Sequence, residues 1–136
     1  MSAPVRKLEA AKVGDDLPTE VQGKPVAGAF EAIVSKALET MGWDFEYQKP
    51  LFGGRRVKGG LILDWLVYTR PRPTPLFGQG KYWHNLGQRP ETDRIQMAKL
   101  RSRLRRYFAG AKEIWDYEAP DVDTAMRNLT RILGRP

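Results

Sequence analysis

Apolar positions recur along this chain with two different periods, and the changes of period mark its elements. From Ala27 to Met41, residues Phe30, Ile33, Val34, Ala37, Leu38 and Met41 follow the i, i+3, i+4, i+7 spacing of a helix with one buried face. Gly42 is placed to end that helix, and Glu31 lies at the edge of its apolar stripe, near the start. Trp43 to Pro50 alternates loosely and carries Trp43, Phe45 and Tyr47, which predicts a strand. Leu61 to Tyr68, rich in branched and aromatic residues, predicts a second strand. The glycines 53, 54, 59 and 60, with Arg55, Arg56 and Lys58 among them, predict the turn between the two. Pro71, Pro73 and Pro75 then stop regular structure, and Leu76 to Trp83 predicts a short third strand. Gly78 and Gly80 lie inside it, and two glycines in a strand interior point to a close backbone approach. Thr92 to Phe108 predicts a second helix with Met97, Leu100, Leu104 and Phe108 inward and six basic residues around the rest. Gly110 stops it. Lys112 to Glu118 predicts a last strand around Ile114 and Trp115. Asp121 can cap a final helix with Val122, Ala125, Met126, Leu129 and Leu133 inward.

The order helix, strand, strand, strand, helix, strand, helix predicts an α/β protein. A helix before a hairpin, followed by a strand–helix–strand crossover, gives a mixed central sheet of about four strands flanked by helices. Residues 1–26 are polar, mixed in charge and broken by Pro4, Pro18, Gly23 and Pro25, which reads as an extended N-terminal arm ahead of one domain at 27–136. The arm's alternative role is to wrap a partner or a second copy, which leaves a homodimer open.

Composition narrows the function. The chain has 136 residues, 41% hydrophobic and 29% charged, which suits one folded core. It has no cysteine, so disulfides, thiol catalysis and cysteine-ligated zinc are excluded. No apolar run is long enough to span a bilayer and the first 16 residues have no continuous apolar core, so a cytoplasmic protein without a membrane partner is expected. The formal net charge of +7 favours a polyanionic partner.

Asp64 is the residue that carries chemistry. It interrupts the apolar run Gly60-Leu61-Ile62-Leu63-Asp64-Trp65-Leu66-Val67-Tyr68, where a carboxylate is costly unless paired or metal-bound. It is also the only acidic residue between Tyr47 and Pro90, a stretch holding Lys49, Arg55, Arg56, Lys58, Arg70, Arg72, Lys81 and Arg89. Two readings follow. Either Asp64 faces water or pairs with an arginine, or it is a ligand for a hard cation such as Mg²⁺. The segment Phe77-Gly78-Gln79-Gly80-Lys81-Tyr82-Trp83-His84 supplies companions. In a strand Gln79 and Lys81 share a face, and a carboxylate, a second polar ligand and a lysine can hold Mg²⁺ and orient a water. His84, the only histidine, is either packed beside Trp83 or available as a phosphate contact or proton donor.

These motifs, in this order, resemble the PD-(D/E)XK nuclease superfamily, and within it the very-short-patch-repair-like branch, which includes small phage proteins. The likeness runs from about Phe30 to Glu118. It rests on Glu31 in the first helix, Phe45-Glu46-Tyr47-Gln48, the turn at Gly53-Gly54, Asp64 in its Gly-Leu-Ile-Leu-Asp-Trp strand, Gln79 to His84, and Asp93 leading the next helix. Leu63 stands where the superfamily has proline before the aspartate. On the third strand Phe77 and Gln79 stand at the Glu-x-Lys positions, or Gln79 and Lys81 do if the register shifts by two. The resemblance implies a restriction-endonuclease-like fold and a metal-dependent DNA endonuclease with Mg²⁺ or Mn²⁺ and no small-molecule cofactor. In that reading Asp64 and Gln79 are the metal ligands and Lys81 stabilises charge on phosphate or helps deprotonate water. Glu31 holds a metal-bound water, and His84 completes the catalytic set. Arg55, Arg56, Lys58, Arg101 and Arg105 would contact the DNA backbone. The alternative is a catalytically degenerate nucleic-acid-binding or phage-associated structural module on the same fold.

Overall fold

The structure is a computed structural model and describes residues 16–51, 53–54, 61–80, 98 and 102–136. Its centre is a four-stranded mixed sheet in the order β3-β4-β5-β6, made of Phe45–Leu51, Leu61–Val67, Thr74–Gln79 and Lys112–Trp115. The first three strands run antiparallel to their neighbours, and β6 joins β5 in parallel. That parallel pair is the crossover expected from the chain order. The predicted mixed α/β sheet with flanking helices is therefore present.

Helix α1, Ala29–Met41, and helix α2, Val122–Leu133, pack together on one face of this sheet. The period-3.6 stripe explains α1, because Ile33, Val34, Ala37 and Leu38 are all buried. It ends at Gly42, whose φ of 91° is a left-handed cap that glycine adopts without strain. Asp121 caps α2 by accepting a hydrogen bond from the Thr124 amide. Trp65 and Leu76 from the sheet complete this larger core, and the Trp65 indole N–H is satisfied by the buried Ser35 hydroxyl at 3.0 Å. On the opposite face a smaller core of Leu63, Leu66, Phe77 and Leu104 forms, with Leu51, Phe108 and Ala111 against it.

The predicted second helix lies largely outside the described residues. Its end differs from expectation. The helix stops at Leu104, and Arg105 to Tyr107 form a turn closed by the Tyr107 and Phe108 amides on the Leu104 carbonyl. The third strand starts earlier than expected, at Thr74, and takes in Pro75. Pro75 pairs with Leu66 at the start of the strand, one residue before the ladder with β6 begins at Leu76.

The stretch before α1 is not merely extended. Strands β1, Glu20–Val21, and β2, Lys24–Pro25, form a small hairpin with Val21 in the main core. Gln22, at a φ of 54°, lays its side-chain amide on the outer edge of β3. Its Nε2 donates to the Phe45 carbonyl at 2.6 Å and its Oε1 accepts from the Tyr47 amide at 2.8 Å, so the side chain replaces a strand rung. Lys24 Nζ donates to the carbonyls of Tyr47 and Gln48 at 2.9 and 3.0 Å.

Candidate functional site: a carboxylate pair at a break in the sheet

Strand alternation fails at one rung. The β3–β4 ladder pairs Tyr47 with Trp65 and Lys49 with Leu63, and skips Gln48 and Asp64 between them. Gln48 has a φ of 51°, a left-handed conformation that costs energy in any residue with a Cβ. The pleat changes phase there. Leu63 and Trp65 should share a face, yet Leu63 is fully buried in the smaller core and Trp65 in the larger one. Tyr47 and Leu51 part company in the same way on β3.

Asp64 occupies the slip. The regular β4–β5 pairing ends at Trp65 with Leu76, and beyond it the Gly78 amide turns to the Asp64 carboxylate, donating to Oδ2 at 2.9 Å. Gly78 permits the approach because a Cβ there would lie 2.7 Å from Phe30 Cε2 and 3.1 Å from Trp65 Cζ3. The close approach expected from glycine in this strand is thus the packing of Phe30 and Trp65 across it.

Glu31 reaches the same place from the first turn of α1. Its Oε1 accepts a hydrogen bond from the Tyr47 hydroxyl, and Gln48 Nε2 donates to that hydroxyl oxygen at 3.3 Å. The electrostatics record the meeting. The Asp64 carboxyl is raised to about 6, chiefly by burial and in smaller part by the Glu31 charge, against the lowering effect of the Gly78 hydrogen bond. The Tyr47 phenol is also raised, first by burial and then by its bond to Glu31, so it stays a donor at neutral pH.

The structure therefore brings together Glu31 and Asp64, two of the residues expected from sequence. Gln79 follows Gly78 at the end of β5, and alternation carries it to the face of Phe77. Lys81, His84, Arg55, Arg56, Lys58 and Arg101 lie outside the described residues. Arg105 is exposed, and its carbonyl accepts from the Arg72 guanidinium at 3.4 Å. Tyr47, which sequence reasoning took only as a strand former, is the residue that holds Glu31 in place.

Two carboxylates near enough for the charge of one to act on the other fit a hard divalent cation, which would offset the burial, and the smaller repulsion from Glu31, that raise Asp64. Among the described residues no three acidic or histidine side chains gather in one place. An ion held here would keep most of its shell as water and phosphate oxygen, as Mg²⁺ commonly does. Among the described residues no helix is long and apolar enough to cross a membrane. The chain matches no protein-family model, no curated protein and no solved structure.

Proposed function

We propose that this protein is a metal-dependent DNA endonuclease of the PD-(D/E)XK type, with Asp64 and Glu31 at its centre. The observation that carries the reading is the convergence of these two acids at the sheet's phase slip, in a chain of net charge +7. A bound Mg²⁺ or Mn²⁺ would supply Lewis-acid stabilisation of the phosphate and a more acidic water. The chain's own residues do the rest. Asp64 holds its position through the Gly78 amide and offers its other oxygen as a ligand. Glu31, fixed by Tyr47, orients a water. Gln79, expected from the sequence as a neutral ligand, falls on the face of Phe77 and is left out of this centre. Lys81 offers a cation to the phosphate, and His84 offers a proton donor or phosphate contact.

One observation favours a second reading, a nucleic-acid-binding module that does not cut. Phe77, at a position where the superfamily pattern has an acid, is buried with Leu63, Leu66 and Leu104. The test is cleavage of supercoiled and branched DNA with Mg²⁺ or Mn²⁺, with chelation and Asp64→Asn as controls. Metal-dependent nicking lost in Asp64→Asn supports the enzyme. Equal inertness of wild type and variant on every substrate, with DNA binding retained, installs the second reading.

A further inference from the structure

A basic surface forms where two segments distant in sequence meet. Between Lys99 and Lys112 the chain carries Lys99, Arg101, Arg103, Arg105, Arg106 and Lys112 and no acid. In the fold the described part of this stretch, residues 102–112, docks against the turn after β4. The Ala109 amide donates to the Pro73 carbonyl at 2.8 Å, and Arg72 Nη1 donates to the Arg105 carbonyl at 3.4 Å. Leu104 and Phe108 anchor the segment to the smaller core. Arg103, Arg105 and Arg106 from one segment, and Arg70 and Arg72 from the other, are left exposed.

Within this surface Ser102, Arg103, Arg106 and Tyr107 line a groove of about 340 Å³. Tyr107 is 56% exposed, and its ring stands edge-on to Phe108, with centroids 6.4 Å apart and planes at 64°. That contact steadies the ring while leaving most of it open to solvent. Two guanidinia, a hydroxyl donor and an aromatic ring in one groove match a phosphate and the sugar or base beside it. Guanidinium forks take phosphate oxygens in pairs, and an aromatic face accepts a base of any sequence.

We infer that the groove of Ser102, Arg103, Arg106 and Tyr107 seats a backbone phosphate of a bound nucleic acid, with Arg70, Arg72 and Arg105 extending the track. The inference rests on the nucleic-acid half of the proposed function and is independent of cleavage. It names a strand-holding surface on the side of the sheet away from α1 and α2, built on Leu104.

The test is binding of a fluorescent DNA oligonucleotide in EDTA, across a salt series, so that cleavage plays no part. Arg103→Ala/Arg106→Ala is expected to lower affinity at least tenfold and to flatten the log–log salt slope by roughly 2, since each lost phosphate contact removes about 0.9. Arg131→Ala, which removes a cation on α2, is expected to leave the slope unchanged. Arg103→Lys/Arg106→Lys should keep most of the slope and lose affinity, because a lysine keeps the charge and not the fork. Circular dichroism and thermal melting confirm the fold of each variant, and Tyr107→Ala supplies an independent probe of the groove. A slope in Arg103→Ala/Arg106→Ala equal to wild type overturns the inference while leaving the endonuclease reading standing. Competition by polyglutamate as strong as by DNA at equal charge overturns it in favour of an acidic protein. Absence of wild-type binding at low salt overturns it together with the nucleic-acid reading.

Discussion

Gly78 donates its amide hydrogen to Oδ2 of Asp64 across a gap that the sheet ladder leaves unpaired. The bond anchors a partly buried carboxylate, and it depends on Gly78 having no side chain, because Phe30 and Trp65 occupy the space.

Gly78→Ala should therefore fold less stably, by about 1–3 kcal/mol, the range for inserting a carbon into packed surroundings. Phe30 has to move, and it precedes Glu31 on α1, so metal-dependent cleavage should fall along with stability. Thermal melting and plasmid nicking measure the two effects. An alanine variant with unchanged melting temperature would show that the space between Phe30 and Trp65 is not limiting.

Asp64→Asn should stabilise the protein at neutral pH. In the fold the Asp64 carboxyl is raised from 3.8 to about 6. A raised acid binds its proton more tightly folded than unfolded, so ionising it costs stability as pH climbs through that window. The full cost above about pH 6 is on the order of 3 kcal/mol, and none remains below pH 3.8. Urea unfolding at pH 7.5 should thus favour the asparagine variant, and unfolding at pH 3.5 should not distinguish the two. A wild type more stable than the variant at pH 7.5 refutes the account.

Tyr47→Phe should cost about 1–3 kcal/mol, because it leaves the Glu31 carboxylate without its hydroxyl donor. The same change in a Glu31→Gln background should cost less, since no charge is then stranded. A double-mutant cycle measures the difference. Additive effects would mean that the two side chains act independently.

Gln22→Ala should remove two bonds to the edge of β3, at about 1–2 kcal/mol together, and expose that edge for pairing with other chains. Light scattering should show concentration-dependent association that the wild type lacks. A monodisperse variant of wild-type stability would show that the rung formed by Gln22 is dispensable.

Much of this architecture is legible in the sequence. The stripe on α1 and the cap at Asp121 are local signals, and local signals survive folding. Asp64 stood out because an acid in an apolar strand needs a reason. Glu31 stood at the edge of a stripe, where a side chain can reach a neighbouring element. Tyr47 did not stand out, since its hydroxyl acquires a role only when α1 crosses β3. The phase slip was also hidden. Gln48 is neither glycine nor proline, so nothing in the string announces its positive φ, and unbroken alternation is the natural expectation for such strands. Pro75 misled in the other direction, because a proline is tolerated near the start of a strand.

The break in alternation also makes the two faces of the sheet one thermodynamic unit. Leu63 and Trp65, one residue either side of Asp64, are rooted in different cores. Neither core can loosen without shifting the backbone between them. A ligand that tightens Asp64 should then slow amide hydrogen exchange in Ile33 and Leu38 on one side and around Leu104 on the other, in a single cooperative step.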